Sequence, residues 1–535
     1  MERALTLGID ISTQSISAVV LDPRESPARA VAHLSLSYRD DSRLNRFGIH
    51  RESLLVPPRV PGEADQPPEM FLAGLDALLG DLAAAGVRLG QVGAVSVSAQ
   101  QHGHVYLTEA GLEAIAALGR GGESPLVKRF DGAFSYGTAP IWQTSNSQPQ
   151  AEEIRDALGG VLPVVERSGS NSPARFTGAV IRRTAQTVPS IWEKTARISL
   201  LSSFFSAILS GNPDCPIDWG NGSGMTLMDY HTRQWSPELL QAVSQGLPGG
   251  ADALRAKLPG LASPVAESGR IARYFQERFG FSQDCIVNAG SGDNPQSKVM
   301  IRGDLLSLGT SFVYMVDTGT PLVDRSGYAN SMYDGLGNPF VFACRTNGAM
   351  VWDRLRGIYG ADLARAEAAL EKVRPGAETI VWQPYAESYP QVPPIDLEEA
   401  RSGGGDFSRL YSGIVDSSLV LTRHYAGTFE VSREPLALTG GPSASLAIRQ
   451  RVAAIFERPV IVLESSGAAL GSALAAWQTL CNARGHKAEL DRLRQDLVPS
   501  GEMVYPDSTM ASAYRELASR LIRRAPFASS PSASG

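Results

Sequence analysis

The chain opens on alternating apolar positions, Leu5, Leu7, Ile9 and Ile11, then a polar turn, Ser12-Thr13-Gln14, then a second apolar run from Ile16 to Leu21. Period-two alternation broken by turn residues predicts two strands joined by a tight connection, with Gly8 and Asp10 near the end of the first. Met70 to Ala85 carries helical spacing, and Val92 to Val97 reads as a strand running into the polar loop Gln100-Gln101-His102-Gly103-His104. In the middle of the chain Ile198 to Leu209 predicts a buried helix, and Gly220 to Gly224 (GNGSG) a loop. A helix from Pro237 to Val243 follows, with Ser236 as its N-cap. Gly269 to Phe279 predicts another helix and Cys285 to Asn288 a strand that leads into Gly290-Ser291-Gly292-Asp293-Asn294-Pro295.

The opening pattern then returns. Leu305 to Leu308, the turn Gly309-Thr310-Ser311 and Phe312 to Val316 repeat the design of an apolar strand, a hydroxyl-bearing turn and a second apolar strand. Two such units in two halves suggest a duplication. The C-terminal half adds Leu436 to Gly441, a helix from about Ala444 to Phe456, a strand Val460 to Leu463 and a helix from Gly467 to Trp477. Ala468, Gly471 and Ala475 would let that last helix approach a sheet closely. Beyond Arg524 the tail APFASSPSASG has little apolar surface to bury and is expected to be disordered.

Composition narrows the class. A chain of 535 residues exceeds one ordinary core and implies at least two domains. The apolar fraction of 43% and charged fraction of 19% are those of a globular protein. A net charge of −6 with no basic block argues against nucleic acid as a partner. No secretory signal is visible, and no apolar stretch approaches the ~20 residues that span a bilayer. Cys215, Cys285, Cys344 and Cys481 are scattered without a CxxC pair, as expected of reduced thiols in the cytoplasm.

Each candidate motif has a chemical reading and a plain one. Asp10 beside Ser12 and Thr13 could hold Mg²⁺ through water while the turn cradles a phosphate, or could belong to an ordinary hairpin. Gly309-Thr310 poses the same question. Asp293 lies where a general base could meet a substrate hydroxyl, yet by spacing alone it reads first as a helix N-cap. His102 and Gln101 could bind sugar hydroxyls; a metal is discounted because no third Cys or His is near and no HExxH occurs. Gly440-Gly441 could lie flat against a nucleotide or simply turn the chain. No GxxxxGK[ST] P-loop exists, and GNGSG lacks the Rossmann context.

Together and in order, GIDISTQ, SAQQHGHVY, PIW, ARFTG, NGSGMTLMD, GSGDNPQS, SLGTS and LTGGPSAS resemble the FGGY carbohydrate kinases, most of all the xylulose kinase branch. The resemblance runs from residue 5 to about 480. It implies an α/β protein of two ribonuclease-H-like, actin-like ATPase domains. Each would be a mixed sheet flanked by helices, with a cleft between the two. The expected boundaries are 1–280 for the sugar-binding domain, 281–524 for the ATP-binding domain and 525–535 for the tail. It implies Ser12, Thr13, Gln14, Gly309 and Thr310 at the ATP phosphates, Gly440, Gly441 and Ser445 at the adenosine, and Asp10 at Mg²⁺ through water. It implies His102, Arg175, Asp293 and Asn294 at the sugar, with Asp293 as catalytic base. The expected activity is ATP-dependent phosphorylation of a ketopentose at its terminal hydroxyl, D-xylulose first. Another ketose or polyol such as ribulose, or a non-catalytic nucleotide- and sugar-binding regulator, are the alternatives. The expected partners are sugar and ATP, with no nucleic acid or membrane; the resemblance leaves a homodimer open.

The chain departs from the family pattern at four places. Thr144 stands where an Asp usually follows the Trp of the PIW-like motif, Asn221 and Thr226 replace Asp and Asn of the DGSGMN-like loop, and Ser445 replaces a common Asn. The Gly-rich stretch 108–138 carries no assignable role.

Overall fold

The computed structural model describes residues 5–385, 397, 406–463, 467–497 and 501–524. They fall into two compact units: Met1–Met300 with Thr320–Phe340 and Ser466–Leu497, and Ile301–Gly319 with Val341–Ser465 and Val498–Gly535. The first long run thus ends at residue 300, where the sequence places its boundary at 280. The helix predicted from Gly467 belongs to the first unit. The tail 525–535 lies outside the described residues.

The sheet of the first unit is built from β1 (Leu5–Ile11), β2 (Ser15–Asp22), β3 (Arg29–Ser37), β4 (Val92–Ala99), β5 (Glu267–Arg270), β6 (Ile286–Asn288) and β7 (Ser291–Gly292). Its order is β5-β6-β4-β1-β2-β3, with β7 also paired to β4. The predicted hairpin is β1 against β2, antiparallel, with Ile11 opposite Ile16. β4 runs parallel to β1 on one side and to β6 and β7 on the other. All eight residues of β4 are buried. That is why its sequence reads as a continuous apolar and small-residue run, the pattern of a strand covered on both faces.

The second unit repeats the plan. Its strands β8 (Leu305–Leu308), β9 (Phe312–Asp317), β10 (Pro339–Arg345), β11 (Leu436–Thr439) and β12 (Val460–Val462) follow the order β10-β9-β8-β11-β12. β8 and β9 form the hairpin, β11 lies parallel to β8, and β12 parallel to β11. The order β3-β2-β1-β4-β6 of the first unit matches it strand for strand. The duplication suggested by two similar turns is therefore a duplication of topology.

The helix Ala468–Ala483 packs on β1, β4 and the helix Asp293–Val299. Backbone meets backbone there: a Cβ on Gly8 would lie 1.9 Å from the Ala469 carbonyl oxygen, and one on Gly471 would lie 1.9 Å from that of Gln296. The stretch 108–138 folds into short helices, Glu109–Ala117 and Leu126–Arg129 among them, that seal Ile115, Leu118, Leu126 and Phe130 into the main core.

Three sequence expectations change. Ile198–Leu209 is not one helix: Arg197–Leu200 is a strand paired with His104–Leu107, and the helix starts at Leu201. The pairing to a distant strand outweighs local propensity. The GNGSG loop is a short helix, Trp219–Ser223, capped by Asp218, whose Oδ2 accepts the Gly220 and Asn221 N–H groups. Of Gly269–Phe279 only Arg273–Phe279 is helical, because the chain before it pairs with β6. The helix predicted at Pro237 forms as expected, Ser236 accepting the Leu239 N–H.

Gly471→Ala should be destabilising by about 1–3 kcal/mol or more, since the helix must retreat from a backbone that cannot yield. Urea denaturation of the variant against the parent protein measures it.

Candidate active site

Strand register assembles the site of the first unit. Asp10 lies directly opposite Ser98 across the parallel β1–β4 pair, and Ser98 Oγ donates to Asp10 Oδ1 at 2.7 Å. β7 places Ser291 opposite Ser98 and Gly292 opposite Ala99, so the next residue, Asp293, arrives at the same end of β4. The loop leaving β4 turns back over them. The Gln101 N–H donates to Asp293 Oδ1 at 3.2 Å, and the Asn294 N–H to the same oxygen at 2.8 Å. Gly292 leaves room for the Gln101 side chain, whose Oε1 would lie 1.9 Å from a Cβ there.

Asp293 is not an N-cap. It is the first helical residue, Gly292 holds the cap position, and no side chain caps the helix. Asn294 Nδ2 also donates to Oδ1, at 3.1 Å, so Oδ2 is the oxygen left to take a proton. Burial raises the Asp293 carboxyl to about 7, with the Asp10 charge adding to the rise and the N–H donors opposing it. Burial likewise lifts Asp10 to about 6 against the pull of Ser98. Two neighbouring carboxylates with raised affinities for protons are poised for acid–base or cation chemistry.

His102 adopts φ +67°, a left-handed conformation, which swings its ring inward. Its Nδ1 lies 3.1 Å from the Gly224 carbonyl oxygen and its ring 4.5 Å from that of Phe176. A carbonyl only accepts, so Nδ1 carries the proton and Nε2 is the acceptor. Burial, then the charge of Arg175, push its pKa down to about 3, so the ring is neutral. Arg175 is half-buried beside it. His104 is a core residue: its Nδ1 donates to the His102 carbonyl and its Nε2 meets the Tyr106 hydroxyl. Among the described residues no group of three or more metal-ligating side chains forms, so a cation at Asp10 would be one that keeps most of its water.

The hydroxyls of the first turn are already engaged. Ser12 Oγ donates to the Ser15 carbonyl at 2.9 Å, and Thr13 Oγ1 donates to Gln100 Oε1 at 3.1 Å. What the turn offers an anion is the N–H groups of Thr13 and Gln14; Gln14 is exposed.

In the second unit Gly440, at φ +96°, brings its bare Cα against the end of β8. A Cβ there would lie 2.3 Å from the Leu308 carbonyl oxygen, so the Gly440-Gly441 turn and Gly309-Thr310 are neighbours. Gly441 faces open space. Ser445 caps the helix Leu446–Phe456 by accepting the Ile448 N–H, and its hydroxyl donates to Glu367.

The departures from the family pattern have local explanations. Thr144 is buried and donates to the Ala64 carbonyl at 3.1 Å. Asn221 donates to Ser202 Oγ at 2.7 Å and to Asp218 Oδ1 at 2.6 Å. Thr226, left-handed at φ +57°, donates to Ser172 Oγ. Sequence reasoning missed Ser98 and Asp218. Asp218 also accepts from Ser291 Oγ and thereby ties the Asp218–Asn221 network to the segment that carries Asp293. The only available signal was Asp218 as an N-cap.

The model for the FGGY family of carbohydrate kinases, N-terminal domain, matches residues 136–299. Xylulose kinase 2 of Arabidopsis thaliana is 30% identical over 528 residues, covering 92% of this chain and 90% of that protein. The xylulose kinase structure from Rhodospirillum rubrum superposes with a TM-score of 0.78 at 16% identity, covering 97% of this chain and 98% of that one. The gluconate kinase structure from Lactobacillus acidophilus gives 0.77 at 16% identity, with 97% of each chain covered. These two structures share the fold and, at such identities, speak to the fold alone.

Two outcomes follow from the site's electrostatics. A carboxylate takes a proton only when ionised, and the Asp293 carboxyl is raised to about 7; with Asp293 as the base, kcat/KM of the free enzyme should rise with pH and bend to a plateau around pH 7. Below that it should fall about tenfold per pH unit, which a pH–rate profile measures. Asn221→Asp would set a carboxylate against Asp218, itself raised to about 6 by burial. The folded pair must then keep a proton that the unfolded chain gives up at lower pH. The variant should lose on the order of 2 kcal/mol at pH 8 and recover part of it at pH 5, as thermal melting at the two pH values would report.

Proposed function

The chain belongs to the FGGY family of carbohydrate kinases, with ATP as co-substrate, and on that premise we propose that it transfers the γ-phosphoryl group to the terminal hydroxyl of a ketopentose, D-xylulose. The observation that carries the chemistry is Asp293, whose Oδ1 is saturated by N–H donors and whose Oδ2 is open, with a pKa near neutrality. The sugar identity is supported by the Arabidopsis relative, which is named a xylulose kinase.

In this reading the first unit holds the sugar. His102 Nε2 accepts from one hydroxyl, and Arg175 and Asn294 donate to others. Asp293 Oδ2 takes the proton of the attacking hydroxyl as the new P–O bond forms and the bond to ADP breaks. The N–H groups of Thr13 and Gln14 stabilise the charge on the transferring group, a positioned electrostatic contribution of the kind that dominates phosphoryl transfer. The second unit holds ATP, with Gly309 and Thr310 at the phosphates and Gly440 and Gly441 against the adenosine; Ser445 contributes as the cap that orders the following helix. Asp10 suits a Mg²⁺ bound through water, and that ion would supply neutralisation of phosphate charge.

Another ketose or polyol is the second reading. Thr144 favours it, since the position usually filled by an Asp holds a hydroxyl turned to the Ala64 carbonyl.

The test is coupled ADP release with Mg-ATP across ketopentoses, ketohexoses and polyols, with Asp293→Asn alongside. D-xylulose should give the highest kcat/KM. Asp293→Asn should lower kcat by roughly 10²–10⁴-fold while ATP affinity stays within a few fold. Turnover confined to another sugar would move the substrate, and undiminished turnover in Asp293→Asn would remove the base.

A further inference from the structure

Thr13 closes a hydrogen-bond circuit whose direction can be worked out donor by donor. The Trp142 indole N–H lies 3.0 Å from Thr13 Oγ1. Indole is a donor only, so Thr13 Oγ1 accepts there, and its single hydrogen goes to Gln100 Oε1 at 3.1 Å. Gln100 Nε2 then donates to Gln66 Oε1 at 2.7 Å. Gln66 Nε2 spends both hydrogens on carbonyls, Thr13 O and Leu54 O, each at 2.9 Å. Flipping the Gln66 amide would set its oxygen against those two carbonyls. Flipping Gln100 would set its oxygen against Gln66 Oε1, two acceptors with no hydrogen between them. One arrangement satisfies every group. Gln66 and Gln100 are buried, whereas Trp142 is 43% exposed.

We propose that Gln66, Gln100 and Trp142 are positioning residues that hold the Thr13 turn by both its carbonyl and its hydroxyl. The turn's free N–H groups, at Thr13 and Gln14, are thereby kept aimed for an anion. While the circuit is closed the Thr13 hydroxyl has no hydrogen left for a phosphate oxygen, so its part in the reaction is structural and the backbone does the binding. Trp142, the exposed member, ties the PIW segment to this turn. This rests on the proposed kinase reading for what the turn binds, but the circuit itself does not.

The experiment is a double-mutant cycle of Thr13→Val and Trp142→Phe, read in two ways. Thermal melting without ligand needs no turnover. The double variant should lose clearly less than the sum of the single losses, because each single change already breaks the shared bond. Steady-state kinetics with Mg-ATP and the best sugar of the panel should show each single variant reduced in kcat on the order of tenfold, the double no lower than the worse single, and Thr13→Ser recovering most of what Thr13→Val loses. Additive melting losses would overturn the circuit. Thr13→Val raising the KM for ATP while Trp142→Phe leaves every nucleotide parameter unchanged would overturn the positioning role, since it would mean direct contact by the hydroxyl. A parent protein that turns over no sugar would overturn the kinase reading instead, and the melting cycle would still decide the circuit.

Discussion

The site of the first unit depends on β4 being paired in parallel on both of its edges. Parallel neighbours end at the same level, and loops leaving their carboxyl ends gather in one place. Asp10 from β1, Gln101 and His102 from the loop leaving β4, and Asp293 directly after β7 come from segments nearly 300 residues apart, yet they meet because Ser98 and Ala99 are the common reference for the strand registers. A one-residue slip of β1 would turn Asp10 to the other face of the sheet and seat Ile9 or Ile11 beside Ser98.

Keeping that arrangement requires close backbone approach. Gly8 and Gly471 each sit where a side-chain carbon would collide with a neighbouring backbone. The helix Ala468–Ala483 contributes mostly alanine and small residues to the contact, so helix and sheet lie nearer than larger side chains would permit. Close packing also excludes water from the carboxylates, and that exclusion is what raises Asp10 and Asp293 toward neutrality. Packing and acid–base chemistry are thus one property of the same fold.

The polar groups around the site are ordered rather than merely present. His102 is kept neutral by burial and held in one tautomer by the Gly224 carbonyl, Asp218 gathers two N–H groups, Asn221 and Ser291, and the Thr13 circuit admits a single orientation of two glutamines. His102, Asp218, Asn221, Ser291 and the two glutamines are buried, where an unpaired donor or acceptor would cost about 1–3 kcal/mol, so the networks fix their members in place.

Much of this protein was legible from its sequence. Alternation at Leu5–Ile11 and Leu305–Leu308, with a hydroxyl-bearing turn after each, determined the two hairpins and their kinship, because strand period and turn chemistry are local. The ordered motifs determined the family and pointed to Asp10, His102 and Asp293. Tertiary structure alone decided the rest. Ile198–Leu200 became a strand because His104–Leu107 offered a partner, Asp293 ceased to be a cap because Gln101 reached its oxygen, and the hydroxyls of Thr13 and Ser445 were claimed by Gln100 and Glu367. A hydrogen bond between residues dozens or hundreds of positions apart leaves no period or spacing in the chain, so which polar group is free for a ligand emerges only when the fold brings its competitors into reach.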